Sequence, residues 1–181
     1  MNYFTLLQKW RNKIRVKGSV SLDIASTAKV VNCKIEIKGK NNTLRIEKDS
    51  VLRDTHIEIL GDNSSIIIGK NCIIGHDCYL SAKESTTLSL GDECMLSRNV
   101  KIMTSDGHPI YQNNECINSA KSITLGDKIW CGDNVTILKG VSVGKGSVVG
   151  INATLTHSIA SGLIAVGNPA KVVKEDISWK I

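Results

Sequence analysis

The chain has 181 residues, 41% of them hydrophobic and only 4% aromatic, with a single Phe. That length suits one domain, 1–181, and so few rings mean a core filled by small aliphatic side chains. The net charge of +6 is spread without a long basic run, and with few rings for base stacking it does not read as a nucleic-acid binder.

Residues 1–18 mix Phe4, Leu6, Leu7, Trp10 and Ile14 with Lys9, Arg11, Lys13, Arg15 and Lys17. This reads as a short amphipathic helix capping one end of the domain, with weak peripheral contact to a membrane surface as a second use. The stretch lacks the continuous apolar region and cleavage site of a signal peptide, and no run in the chain approaches a transmembrane segment.

Two segments then repeat. IEIKGKNNTLRI at 35–46 matches IEILGDNSSIII at 57–68, and Leu90-Gly91 follows 22 residues further on. From residue 123 a shorter period takes over. Leu125, Cys131, Ile137, Val143, Val149 and Leu155 recur every sixth residue, and Gly follows four of them. Two positions earlier stand Ile123, Ile129, Val135, Val141, Ser147 and Ala153. A period of six fits neither a helix nor a lone strand. It fits a coil with three short flat sides, in which residues i and i−2 point inward and Gly turns the tight corner. Stacked turns bury a thin continuous core. A turn of 22 residues is three such sides plus about four extra residues at one corner. The expected architecture is an all-β solenoid with coils over 20–165, a loop near 103–122 that interrupts the hexads, and a short tail over 166–181. The same phase puts Cys72, Cys78, Cys94 and Cys131 inward as unreactive core residues. No CxxC pair or open tetrahedral site is left for a metal, and a reduced, cytoplasmic setting suits them.

The stretch IWCGDNVTILKGVSVGKGSVVGINATLT, followed by IAVGNPAKVV, resembles the hexapeptide-repeat acyltransferases, and most of all their sugar and polysaccharide O-acetyltransferase group (maltose, galactoside and nodulation acetyltransferases). The likeness is good over 66–174 and only general before that. It implies a left-handed parallel β-helix, a handedness that periodicity does not give. It also implies a homotrimer with active sites between subunits, acetyl-CoA as co-substrate, a saccharide acceptor, and no required metal.

The chain has four histidines, and His108 lies in MTSDGHPIY inside the interrupting loop. The family carries its catalytic His in a similar loop, so the resemblance makes His108 the general base. Neutral imidazole suits removal of a hydroxyl proton near neutral pH. Asp106 is the local candidate for orienting that ring, although it could instead open the Asp106-Gly107 turn. By alignment, Trp130, Gly132, Asp133, Gly150, Ile151, Asn152, Thr156, Lys171 and Lys174 fall at the family's CoA positions, with Gly132 a candidate source of an oxyanion-binding N–H. Ile151 and Asn152 replace the family's Ala-Gly. For the acceptor, Tyr79, Ser81, Glu84 and Asn99 are the candidates; Asn99 also fits a corner ladder. The function expected is acetyl transfer to a sugar or surface-polysaccharide hydroxyl. Sugar N-acetylation, antibiotic acetylation and a non-catalytic binding or assembly subunit are the alternatives. A carbonic anhydrase of the same fold would need an H-x-x-x-x-H pair, which is missing.

Overall fold

The computed structural model describes residues 4–180. One short helix, Leu6–Arg11, precedes a solenoid of parallel strands. Three faces form its triangular section. The first face stacks Lys29–Val31, Val51–Arg53, Ile73–Ile74, Met95–Leu96, Trp130–Cys131, Val148–Val149 and Ile164–Gly167. The long strands Lys13–Ile24 and Lys34–Ile46 each bend across the other two faces. Their N-terminal halves join His56–Leu60, Tyr79–Lys83, Lys101–Met103, Thr136–Ile137 and Thr154–Leu155 on the second face. Their C-terminal halves join Ser65–Ile68, Thr87–Leu90, Ile123–Leu125 and Ser142–Val143 on the third.

The repeat seen in the sequence is the register of the coil. Ile35 pairs with Ile57, Leu44 with Ile66, and Ile68 with Leu90. Beyond the loop the turns shorten: Trp130 pairs with Val148 and Thr136 with Thr154. All twelve inward positions expected from the hexads are buried, none more than 2% exposed. Cys72, Cys78, Cys94 and Cys131 lie in the same core, and burial pushes the Cys78 thiol up to about 11, where thiolate chemistry is suppressed.

Glycine is forced where successive turns meet. A Cβ on Gly39 would lie 2.0 Å from the carbonyl oxygen of Gly61, and the backbone there has φ +116°. A Cβ on Gly132 would lie 2.8 Å from the Ile151 nitrogen. Side chains cannot fit between turns stacked at about 4.8 Å.

Both ends depart from expectation. The cap expected over 1–18 is a helix of only six residues, closed by a Thr5–Gln8 capping box; residues 1–3 of it lie outside the described residues. From Lys13 the chain is already a strand paired with Lys34–Ile46. The alternation of Ile14, Val20, Leu22 and Ile24 lets this segment gain a full parallel ladder, which outweighs helix propensity. The helix does not close the core with its apolar residues either. Phe4 is buried, but Leu6 and Trp10 are 87% and 82% exposed. Asn12 closes that end instead: its amide donates to the Val30 and Gln8 carbonyls and accepts from the Cys33 N–H. At the other end, the expected tail turns back as Ala170–Lys174, antiparallel to Ile164–Gly167. Trp179 then returns over the first face, donating to the Lys128 carbonyl with its ring 5.9 Å from that of Trp130.

Candidate active site

The loop carrying His108 is an enlarged corner. The second face passes to the third through 39–42, 61–64, 84–86 and 138–141 in the ordinary turns. In one turn the same passage takes 104–122 and includes a small hairpin, Tyr111–Gln112 with Glu115–Cys116. Thr104 anchors the start, accepting from the Lys83 N–H and bonding the Thr86 hydroxyl. Ser105 donates to Glu84, which sits at φ +57° on the corner one turn below.

Three groups hold the loop together. Asn118 donates to the Asp106 carboxylate and to the His108 carbonyl, both at 2.9 Å, and accepts from the Ile110 N–H. Lys139, on the next turn, donates to Asp106 and to the Asn118 carbonyl. The ammonium bond from Lys139, joined by the Asn118 amide, holds the Asp106 carboxyl below the usual carboxylate range despite some burial. Asp106 therefore binds Lys139 and Asn118, not the His108 ring, and it shapes the loop's backbone. The imidazole is exposed and makes no hydrogen bond among the described residues. Asn118 and Lys139 were missed in the sequence. Their one signal is Lys139-Gly140-Val141, standing where the resembling family has Pro-Gly-Val.

Five of the nine residues aligned to CoA contacts meet in one groove. Trp130, Gly132, Asp133, Gly150 and Ile151 line it with Ser97, Val148 and Val149, enclosing about 360 Å³. Trp130 is 37% exposed. Lys174 lies in line with this groove, since Trp130 pairs with Val148, Val148 with Ile164, and Ile164 with Lys174. Lys171 pairs with Val166 alongside. The remaining two have other partners. Asn152 accepts from Asn134, which accepts from Asn99, so both predicted residues belong to a corner ladder at positive φ. Thr156 bonds the neighbouring His157 ring. One expectation is corrected by the coil's own ladder. The Gly132 N–H donates to the Val149 carbonyl at 2.8 Å and is not free for an oxyanion. Asp133 is held by Arg98, whose guanidinium and backbone N–H keep its carboxyl low.

The acceptor candidates Tyr79 and Ser81 lie on the second face below the loop, where both donate to Glu58, at 2.5 and 3.3 Å. Lys83 completes the cluster at 2.8 Å. Burial alone would raise the Glu58 carboxyl, but the bonds from Lys83 and Tyr79 bring it below its ordinary value. Burial and the bond to Glu58 raise the Tyr79 hydroxyl. Ser81 is only 2% exposed, so its hydroxyl serves this cluster and not the solvent. Glu36, His56 and Glu58 approach within 4.8 Å of one another, spacing that could suit a metal. Lys34, Lys38 and Lys83 already neutralise those carboxylates, and their charge opposes a cation.

The His108 loop and the Trp130 groove stand at different corners of the triangle. The loop joins the second and third faces, whereas the groove lies where the first passes to the second.

Known proteins are similar to this chain in sequence and fold. The family described as the hexapeptide repeat of succinyl-transferase matches residues 65–103 and 131–157. A putative acetyltransferase of Staphylococcus aureus is 41% identical over 70 residues, 38% of this chain and 35% of the relative. A polysialic acid O-acetyltransferase of Escherichia coli is 38% identical over 77 residues, 41% of this chain and 25% of the relative. The chain thus spans about a third or less of the length of the curated relatives it matches. The crystal structure of a polysialic acid-specific acetyltransferase, NeuO, superposes with a TM-score of 0.76 at 32% identity, over 93% of this chain and 89% of that one. That of a second polysialic acid O-acetyltransferase, OatWY, gives 0.67 at 28% identity, over 92% and 90%. With a third of its residues shared along nearly the whole coil of a solved relative, the chain belongs to the hexapeptide-repeat acetyltransferase family and has its left-handed parallel β-helix fold.

Proposed function

We propose that the chain transfers an acetyl group from acetyl-CoA directly to a hydroxyl of a sugar or surface polysaccharide, with His108 as general base. The observation that carries this reading is the braced loop: Asn118 and Lys139 fix the backbone around an exposed imidazole. The imidazole takes the acceptor's proton as its oxygen attacks the thioester carbonyl. That attack forms the new C–O bond, and collapse of the tetrahedral intermediate restores the carbonyl and breaks the C–S bond. The imidazolium then returns the proton to the departing thiolate, so the ring is unchanged after each turnover. No side-chain nucleophile is needed. Asp106 acts as a positioning residue through Lys139 and Asn118.

The Trp130–Ile151 groove suits a pantetheine arm, with apolar walls from Val148, Val149 and Ile151. Lys174 and Lys171, further along the same face, suit the CoA phosphates. Because loop and groove occupy different corners, a loop from one copy meeting the groove of another would complete the site, and this supports a homotrimer. The two polysialic acid acetyltransferases among the similar structures favour a polysaccharide acceptor. Buried, unpaired cysteines fit a cytoplasmic enzyme with access to acetyl-CoA.

The test is thiol release from acetyl-CoA by the purified chain across a panel of sugars and polysaccharides, with His108→Ala alongside. The expected result is acceptor-dependent release that falls at least about a hundredfold in the variant. Equal activity of the variant would remove His108 from the mechanism. Neither release nor acetyl-CoA binding would leave a non-catalytic β-helix subunit as the better account.

A further inference from the structure

The helix Leu6–Arg11 is fastened to the coil by polar groups and turns its apolar residues to solvent. Gln8 is its one half-buried residue, and the Gln8 side-chain amide donates to the Ala28 carbonyl. The Gln8 backbone carbonyl accepts from Asn12, which closes the first turn. At about 100° per residue, Leu6, Trp10 and Leu7 fall within one arc of roughly 100° on the side away from Gln8, with Lys9 and Arg11 at its two edges. Leu6 and Trp10 are almost wholly exposed, and Leu7 is more than half exposed. Val16, on the adjoining edge of the first turn, is exposed too and lines a largely apolar cleft of about 350 Å³ with Phe4, Ile14 and Leu22. A surface helix ordinarily turns such a stripe toward the core; here it has no partner among the described residues. The charge around it has one sign. Residues 1–22 hold Lys9, Arg11, Lys13, Arg15 and Lys17 and no Asp or Glu. All five are exposed, and none makes an ion pair among the described residues.

We propose that this end of the solenoid is a docking surface for a membrane bearing anionic lipid headgroups. Leu6, Leu7 and Trp10 enter the boundary between headgroups and acyl chains, where an indole suits both sides because its body is apolar and its N–H polar. Lys9 and Arg11 at the edges of the stripe, and Lys13, Arg15 and Lys17 on the first strand, meet the lipid phosphates. Neither half suffices alone. Three apolar side chains give a weak grip, and exposed cations without them are screened by salt. The other occupants fit less well. A second copy packed end to end would press the five cations of one chain against the five of the other. A nucleic acid would match the charge and leave Leu6 and Leu7 in water. With the coil standing upright on the lipid, the turn that bears the His108 loop is held clear of the surface. Lys13, Lys34, His56, Tyr79 and Lys101 pair in succession, and four steps of about 4.8 Å put that turn about 19 Å above the first. Docking does not depend on the chemistry of the loop.

The experiment is co-sedimentation of the whole chain with vesicles of equimolar phosphatidylcholine and phosphatidylglycerol, against vesicles of phosphatidylcholine alone. The mixed vesicles should bind it at least about tenfold more strongly, and added salt should weaken that binding. Leu6→Ser combined with Trp10→Ser should weaken it about tenfold or more. Both side chains are exposed, so the melting temperature should not move. The triple variant Lys13→Gln, Arg15→Gln, Lys17→Gln should lose at least about tenfold. The same change at Lys70, Lys101 and Lys180, exposed on later turns and the tail, should cost less than about threefold. Brominated phosphatidylcholine in the mixed vesicles should quench tryptophan fluorescence, and Trp10→Phe should remove most of that quenching while binding persists. Trp130 lies four turns away on the first face, with Trp179 against it. Equal binding to phosphatidylcholine alone, equal losses in the two triple variants, or quenching that survives Trp10→Phe would overturn the proposal. So would a fall in the molar mass of the lipid-free chain on Leu6→Ser with Trp10→Ser, which would give the stripe to a second copy.

Discussion

The turns before the loop and the turns after it bury the same core with different amounts of chain. Leu44 and Ile66, 22 residues apart, stack in the first set, and Ile137 and Leu155, 18 apart, in the second. The surplus sits at the corner between the second and third faces: Leu80 and Leu90 are 10 residues apart where their counterparts Ile137 and Val143 are 6 apart. The loop with His108 grows from that same corner. Flat sides are fixed by the hydrogen-bond ladder and the inward aliphatic residues, so only a corner can accept added chain without disturbing the core. The proposed chemistry is therefore placed where the coil tolerates variation, and the loop is braced from the turn above by Lys139.

The sharpest way to break this comparison is to replace 105–121 with a short corner copied from Leu138–Val141. The coil should still fold, because shortening a loop severalfold changes closure entropy by only about 1–2 kcal/mol, while acetyl transfer should vanish. A collapse of the circular-dichroism signal on making this graft would show that the loop supports the coil. Next in size is Leu80→Ala. Leu80 is fully buried between Ile57 and Ile102, and its truncation should cost about 2–5 kcal/mol in denaturant unfolding. Gly39→Ala should follow at about 1–3 kcal/mol, because its Cβ meets the Gly61 carbonyl. Gly146→Ala, where nothing lies within 4 Å of the new atom at φ +75°, should cost nearer 1 kcal/mol. Equal losses at these two positions would mean that backbone angle, not the closeness of turns, dictates glycine here.

Lys139→Met tests the brace. Activity should fall about tenfold through misplacement of the loop, and proteolysis within 105–121 should speed up while the melting temperature barely moves. The pH dependence has a definite sign. The Asp106 pKa is lowered in the folded chain, so its contribution is complete above the unfolded carboxyl value and is lost as pH falls through the lower folded value. Loop proteolysis of the unsubstituted chain should thus stay slow from neutral pH down to about 4 and accelerate only below that. Acceleration near pH 6 would point to a histidine instead. The smallest effect expected is for Asn134→Ala, which opens the exposed ladder between Asn99 and Asn152 and should cost about 1 kcal/mol or less in a thermal melt.

The sequence by itself determined the coil. Inward residues recur at six because each flat side needs an alternating pair and a corner, and the spacing of 22 carried its extra corner residues openly. It also isolated His108, since a break in the hexads marks a loop. What stayed hidden were partnerships between turns. Asp106, two residues from His108, is near it in sequence but is drawn to Lys139 across 33 positions. Asn152 looks like a ligand contact until the stacking of corners joins it, through Asn134, to Asn99, which already fits a corner ladder in the sequence. Leu6 and Trp10 read as a cap, yet the first turn is closed by Asn12, because unpaired backbone groups at the open end demand hydrogen bonds more than apolar cover. Periodicity fixes what each residue does within its own turn. Which side chain of the next turn comes to lie beside it, and so which charge is neutralised and which is left free, is decided only when the turns stack.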